Sequence, residues 1–423
     1  MSNPKKIDPD LKSAIIRALR IGRSIESDGL VLDLDFICRT ICQDISEVPG
    51  IFRSEIDYFD GFYEDRYASG SQIIKGSGDF NDQMLTIPIN NEAKINLRLF
   101  YLRESKDLID VLSLVISNRI KVVFENIFKV AQVIEMFEDF SKAVMTALNE
   151  KSEHTAKHCK SVPIIAKSIA QLVSDHPDMF NNETFDSSRL HQLEIAAWLH
   201  DIGKISVSDA VLEKSKRLEF FGNTEDSILD RLSLYEIQKG ERPKWFDILR
   251  AAIKRSNKGE NLTVSEILAV KKCQQMNYMS EHGEKPLLKS YEAEALSLQR
   301  GTLTKNEREI MESHAMKGVR ILDEIEFPDF LSEVKEYAVN HHERIDGQGY
   351  PRGLTGDQLS LGARIMCVAD VFEALISKRP YKKPIPRGRV KTILLNMTQS
   401  GHLDELIVSI FINSDFFWHY GED

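Results

Sequence analysis

The sequence has no long basic stripe, no run of about 18 apolar residues and only five cysteines among its 423 residues. Each shortage excludes a class of protein. Without an apolar run, no membrane-spanning helix is expected. Without clustered Lys and Arg to displace counterions, and with a net charge of −10, broad nucleic-acid binding is excluded, so DNA is not an expected partner. A small phosphorylated ligand stays open if metal ions or a few local cations supply positive charge. Cys38, Cys42, Cys159, Cys273 and Cys367 show none of the paired short spacings of a zinc site; few and scattered, they suit a reducing cytoplasm. The opening MSNPKKIDPDLKSAI has lysines but no apolar core behind them, so it does not read as a signal peptide. What remains is globular: 42% hydrophobic and 28% charged, long enough for two or three domains with their own cores.

Apolar residues recur at helical spacing through residues 10–48, by way of Leu11, Ile15, Ile16, Leu19 and Ile21 and then Leu34, Ile37, Cys38 and Ile41. Cys38 and Cys42, four apart on one face, read as small buried apolar residues. Strand-like pieces come next at Glu55–Tyr58, Ser71–Lys75, Met84–Ile89 and Ile95–Tyr101, with Asn90-Asn91 as a hairpin turn. Residues 106–150, free of proline and glycine, read as one long helical stretch. This helix–sheet–helix order over residues 1–130 resembles a GAF domain; another small α/β sensor or a purely dimerising domain fits the same pattern. The stretch 131–150 would connect it to the carboxy-terminal part of the chain. Such a helix can pair with its twin in a homodimer and pass on a register shift, or serve as a packed connector within one chain. From 146 onward the pattern is helical, broken by a polar segment at 214–301. Helical pieces are expected there at Glu225–Gln238, Lys244–Arg255, Val264–Met279 and Lys289–Arg300, punctuated by glycines, with no ligand-like cluster. It reads as an inserted helical subdomain, a lid or partner surface, or a solvated elaboration of a loop.

The ionisable residues gather in the carboxy-terminal part: Glu153, His154 and His158, then His200-Asp201 with Lys204, His314, His341-His342-Glu343-Arg344, and Asp370. Imidazole and carboxylate suit manganese, iron, zinc and similar divalent metals. His154 and His158 share a helix face, which alone is weak evidence. His200-Asp201 ends the apolar helix LEIAAWLHDIGK, with Gly203 as a stop signal; there the carboxylate can bridge two ions while the imidazole holds one. His341 and His342 are expected on a helix, about 100° apart, both able to reach ions lying beside it. Asp370 sits in the otherwise apolar ARIMCVADVFEAL, where a carboxylate is costly unless paired or metal-bound.

HDIGK at 200–204, HHERIDGQGYP at 341–351, the segment from ARIMCVAD to KRPYK at 363–382, and SGHLD at 400–404 together resemble the HD-GYP branch of the HD phosphohydrolases. The likeness spans about 146–213 and 302–423. It implies an α+β protein overall: a GAF-like sensor domain joined by a long helix to an all-α HD-GYP domain, residues 151–423, that carries the insertion. It implies two or three divalent metal ions, iron or manganese, and hydrolysis of cyclic di-GMP to linear pGpG or GMP by a metal-bridging hydroxide, regulated by the amino-terminal domain. GGDEF-type proteins would be partners. Carried over by position, the metal ligands are His158, His200, Asp201, His314, His341, His342 and Asp370, with Asp201 bridging. Lys204 would meet the scissile phosphate, Arg379 and Lys382 would grip phosphate oxygens, and Tyr350 and Pro351, beside Gly349, would line the pocket for a guanine and its ribose.

Two residues depart from the family pattern. His154 stands where three-metal members have Glu, with Glu153 one step off; His154 can still donate to a metal. Glu373 stands where the family usually has Asp, with a modest effect on phosphate or water placement expected. The insertion is a third difference, able to shield the site. Two rival readings stay open: a catalytically weak protein that binds cyclic di-GMP, and a hydrolase of another cyclic dinucleotide.

Overall fold

The computed structural model describes residues 15–21, 34–49, 51–59, 64–70, 80–89, 94–149, 153–220, 222–377 and 384–421. The chain forms two compact units, one of residues 1–140 with 183–192 and 328–331, the other of 141–182, 193–327 and 332–423. No described helix is long and apolar enough to cross a membrane.

The first unit is built on four antiparallel strands, β1 (Ile51–Phe59), β2 (Glu64–Gly70), β3 (Phe80–Pro88) and β4 (Lys94–Leu102), in the order β2-β1-β4-β3. The register aligns Tyr67, Ile56, Leu97 and Leu85 across the sheet. They face a core shared with α1 (Leu34–Ser46) and α2 (Lys106–Asn149). Helix α1 contributes Ile37, Cys38, Ile41, Cys42 and Ile45, and α2 contributes Ile109, Leu112, Ile116, Ile120 and Val123. Each series recurs every three or four residues, so one stripe of each helix meets the sheet. Each fully buried Ile or Leu adds about 1.5–3 kcal/mol.

The sequence pattern marks β1, β3 and β4 through their alternating apolar residues. It misses β2, a run of EDRYASG in which Tyr67 is buried while Arg66 and Ala68 are exposed. The strand expected at Ser71–Lys75 and the turn at Asn90-Asn91 lie outside the described residues. The helix expected over 10–48 is described as one turn at 15–18 and then α1, with 22–33 outside the description.

The second unit takes in the last residues of α2 from Ser141, then α3 (Glu153–Ser174) and the end of α4 (Ser187–Leu199). Next comes the inserted segment: α5 (Thr224–Lys239), α6 (Trp245–Asn257), α7 (Val264–Gln274), the hairpin β5 (Asn277–Ser280) and β6 (Gly283–Pro286), and α8 (Ser290–Leu296). The helix expected over Val264–Met279 stops at Gln274, and the chain turns into the hairpin. The segment has a core of its own, with Phe246, Leu249, Ile253, Val270, Leu288 and Leu296 among its members. It is thus a packed subdomain and not a loose loop.

Its two ends are clamped together. Thr302 Oγ1 donates to the Lys214 carbonyl at 3.1 Å, and Lys214 Nζ donates to both Glu307 oxygens at 2.7 Å. Arg217, fully buried, donates to the carbonyls of Gly301, Gly259 and Glu260 and to the Ser256 hydroxyl. The chain then continues into α9 (Lys305–Asp323), started by a capping box between Thr304 and Glu307. After it come α10 (Val334–Val339), α11 (Leu361–Ile376), α12 (Arg387–Gln399), α13 (Glu405–Ile412) and α14 (Asp415–His419). Phe372 of α11 meets Phe411 and Phe417 at centroid distances of 4.8 and 5.3 Å. This aromatic packing, about 0.5–1.5 kcal/mol per pair beyond burial, fixes the helix that carries Asp370.

Candidate metal centre

Three histidines are presented by the same device. His200 follows the end of α4, His314 lies within α9, and His341 follows the end of α10. The Nδ1 of each lies 2.6–2.8 Å from the carbonyl three residues back, that of Ala197, Met311 and Ala338 respectively. A carbonyl only accepts, so each Nδ1 is the protonated nitrogen and each Nε2 keeps a lone pair. All three rings are buried, and the Nε2 atoms of His314 and His341 have no hydrogen-bond partner among the described residues.

His158, on α3, is held differently. Its Nδ1 meets a carboxylate oxygen of Glu373, which also accepts from the Ser377 hydroxyl. A carboxylate behind an imidazole fixes the ring and makes its far nitrogen more basic. That far nitrogen lies 3.2 Å from His200 Nε2, 3.5 Å from Asp201 Oδ2 and 3.3 Å from Asp370 Oδ1.

The structure gathers two triads whose ligand atoms lie within 4.8 Å of one another: His158, His200 and Asp201, and His314, His341 and His342. Each of two aspartates reaches both. Asp201 places Oδ2 at 3.3 Å from His200 and Oδ1 at 3.5 Å from His314. Asp370 places Oδ1 beside His158 and Oδ2 at 3.8 Å from His342.

Backbone packing sets this spacing. A Cβ on Gly203 would lie 1.9 Å from the His314 carbonyl oxygen and 2.6 Å from the Gly318 nitrogen. Only glycine lets the turn after Asp201 lie directly on α9. Gly349 is equally constrained, since a Cβ there would meet the Glu343 and Arg344 backbone at 2.5 Å. Buried Glu343 accepts from the Arg352 and Leu354 backbone N–H groups at 2.7 and 3.0 Å, and so shapes the loop that bears Tyr350.

Electrostatics favour a bound cation. Burial pushes His341 and His314 below the ordinary imidazole range and His342 down to about 4, so all three imidazoles are neutral at neutral pH. Burial alone would raise Asp201, but the Lys204 ammonium at 2.5 Å and the neighbouring imidazoles hold it well below the carboxylate range. Asp370 is likewise held down against burial, chiefly by His158. His158 is opposed by burial yet held well above its ordinary value by Asp201, Asp370 and Glu373. Facing lone pairs, buried carboxylates and the two unpartnered Nε2 atoms form a donor set that fits divalent metal ions.

His341 and His342 do not lie within a helix, since α10 stops at Val339 and both occupy the turn behind it. The turn brings their ring centroids to 4.0 Å, aimed at one space. Glu373, expected against substrate, is fully buried behind His158 instead; its extra methylene lets it reach from α11 to the imidazole. Tyr350 lines a cavity of about 920 Å3 and lies 4.7 Å, ring to ring, from His342. Pro351 follows it through a cis peptide and is half-buried. Lys204 contacts Asp201. The His154 side chain, Arg379 and Lys382 lie outside the described residues. The cavity also takes in Arg308, Glu312, Arg344, Gln348 and His402, which motif reading does not select. Arg344, Gln348 and His402 stand inside the quoted motifs, while Arg308 and Glu312 carry no signal beyond lying within two turns of His314.

Two segments match protein families described as HD domain, residues 155–290 and 291–407. The chain is 38% identical over 120 residues to a probable cyclic di-GMP phosphodiesterase of Vibrio cholerae, covering 27% of each protein. It is 47% identical over 89 residues to a cyclic di-GMP phosphodiesterase of Thermotoga maritima, 21% of this chain and 24% of that one. A 3'3'-cGAMP-specific phosphodiesterase of Vibrio cholerae matches at 42% over 83 residues, 20% of this chain and 19% of the relative. The matched stretch is about a quarter of these relatives' length or less. The carboxy-terminal part of the chain, which holds the histidine–carboxylate cluster, is the part that matches the HD-domain families.

Proposed function

We propose that this protein is a metal-dependent phosphodiesterase of the HD-GYP type that opens cyclic di-GMP to pGpG or GMP. The observation that carries this reading is the pair of aspartates, each with one oxygen toward either histidine triad. His158, His200, Asp201 and Asp370 would hold one ion, and His314, His341, His342 and the same two aspartates a second. Iron or manganese suits this mixture of imidazole and carboxylate. When bound, such ions make water nucleophilic near neutral pH and offset charge on a phosphoryl group. Asp201 and Asp370 set the spacing between the two sites, and Lys204 keeps Asp201 ionised while placing a fixed positive charge at its edge. Arg379 and Lys382 would add cations for the phosphates. The Tyr350 loop, braced by Glu343, walls the cavity and keeps bulk water from one side. With His154 as an extra donor a third ion would be held.

In the same reading, residues 1–130 form a GAF-like regulatory domain and the protein is a cytoplasmic homodimer. The outer side of α2 exposes Val111, Leu114, Val122, Met136 and Phe140, an apolar series that a second copy would cover. All five cysteines are buried thiols outside any disulfide, which suits a reducing compartment. A mixed cyclic dinucleotide is the alternative substrate, favoured by the likeness to 3'3'-cGAMP-specific relatives.

The test is direct. Protein purified without oxygen is analysed for metal, then followed by chromatography on cyclic di-GMP with iron, with manganese and after chelation. Two ions per chain and chelator-sensitive conversion are expected. A protein that holds its metals and leaves every cyclic dinucleotide intact would overturn the reading.

A further inference from the structure

Arg308 and Glu312 stand one turn apart on α9, and both line the 920 Å3 cavity. Their side chains have no hydrogen-bond or ion-pair partner among the described residues, and they do not pair with each other. The other cationic side chain on the described wall, Arg344, is already committed: it forks onto Asp346 at 2.6 and 3.0 Å and reaches the Ser400 carbonyl. Glu312 lies near enough to Tyr350 to bear on its phenol, and Tyr350 offers an aromatic face beside His342. One wall thus combines a stacking surface, a free carboxylate and a free guanidinium, all within reach of the metal centre.

We infer that Glu312 and Arg308 read the base edge of the nucleotide and select guanine over adenine. The inference rests on the phosphodiesterase reading and adds its specificity. Guanine presents two parallel N–H donors at N1 and N2 beside the acceptor O6. Carboxylate oxygens match the two donors, and a guanidinium one helical turn away matches the acceptor. Adenine presents a lone pair at N1 and no donor at C2, so it meets Glu312 with repulsion. A site built to bond a substrate N–H rejects the analogue that lacks it, because its own polar group is left unpaired. Helix α9 also carries His314, so one rigid element fixes the distance from the base reader to the reacting phosphate. The same helix would let a neutral residue at 312 retune the pocket without moving a metal ligand.

The full chain, loaded with manganese, is assayed on cyclic di-GMP, 3'3'-cGAMP and cyclic di-AMP. The readout is the ratio of kcat/KM for cyclic di-GMP to that for cyclic di-AMP, from which the fraction of folded, metal-loaded protein cancels. Glu312→Gln offers adenine a donor and costs guanine an acceptor, so the ratio should fall by roughly 10- to 100-fold, as expected for losing one paired base contact. Arg308→Ala should lower it by about 5-fold, the low end of the same range. An unchanged ratio in Glu312→Gln, or a wild-type ratio near one, overturns the assignment and leaves the phosphodiesterase reading standing. Wild-type protein that carries its metals and cleaves none of the three overturns both.

Discussion

The inserted segment and the histidine cluster both bury charge, and they treat it in opposite ways. In the insertion, Arg217 is fully buried and its donors end on three carbonyls and a hydroxyl. Arg231 nearby forks its Nη2 onto both oxygens of buried Glu292 at 2.7 and 2.8 Å, while its Nη1 has no hydrogen bond among the described residues. In the cluster, buried His314 and His341 keep an Nε2 with no hydrogen-bond partner among the described residues. An unmatched buried polar atom costs about 1–3 kcal/mol. Arg217 is saturated from within the chain, whereas the open nitrogens of the cluster converge with other imidazoles beside buried carboxylates, and that convergence marks them as built for something from outside the chain. Burial and charge alone do not identify a site; unspent ligand capacity does.

That contrast can be broken experimentally, and the largest effect should come from the open set. Asp201→Ala removes the carboxylate shared by both triads, so metal affinity should drop by more than the roughly 100-fold upper range for residues that only brace a ligand, and hydrolysis should vanish. Full activity with normal metal content would refute the assignment. Next comes the closed set. Arg217→Ala strands the acceptors at the base of the insertion and should cost about 3 kcal/mol in urea unfolding, while metal per folded chain stays at the wild-type value. A metal loss equal to the stability loss would show that the two regions are not separate. The smallest effect is expected from Glu373→Ala, which frees His158 Nδ1. Metal affinity should fall about 10- to 100-fold with a stability loss of about 1–3 kcal/mol from the stranded imidazole N–H, and Glu373→Asp should recover part of the affinity if reach is what matters.

Much of the cluster is legible in the sequence because its residues come in doublets and motifs: His200-Asp201, His341-His342, and a lone Asp370 in an apolar helix that needs a partner. What each side chain does is less legible. The latch from Nδ1 to the carbonyl three residues back depends on how the chain leaves a helix, and sequence spacing places His341 and His342 inside one. Glu373 reads as a substrate contact because it stands where the family pattern has Asp; only packing against α3 shows it turned toward His158. In the first unit, β2 escapes notice because a single inward residue, Tyr67, carries its burial. In the insertion, the hairpin after Gln274 has no Pro or Gly before Gly283 to break the helical pattern. Arg308 and Glu312 resemble solvent-facing helix charges, and only the cavity distinguishes them.

The clasp formed by Thr302 with Lys214, and by Lys214 with Glu307, gives the insertion a narrow neck. Nearly ninety residues hang from two strands of chain that meet where α9 begins, so the piece behaves as a cassette. Cutting it at the neck and bridging the gap with a short turn would leave the start of α9, and the imidazole it carries, where they stand.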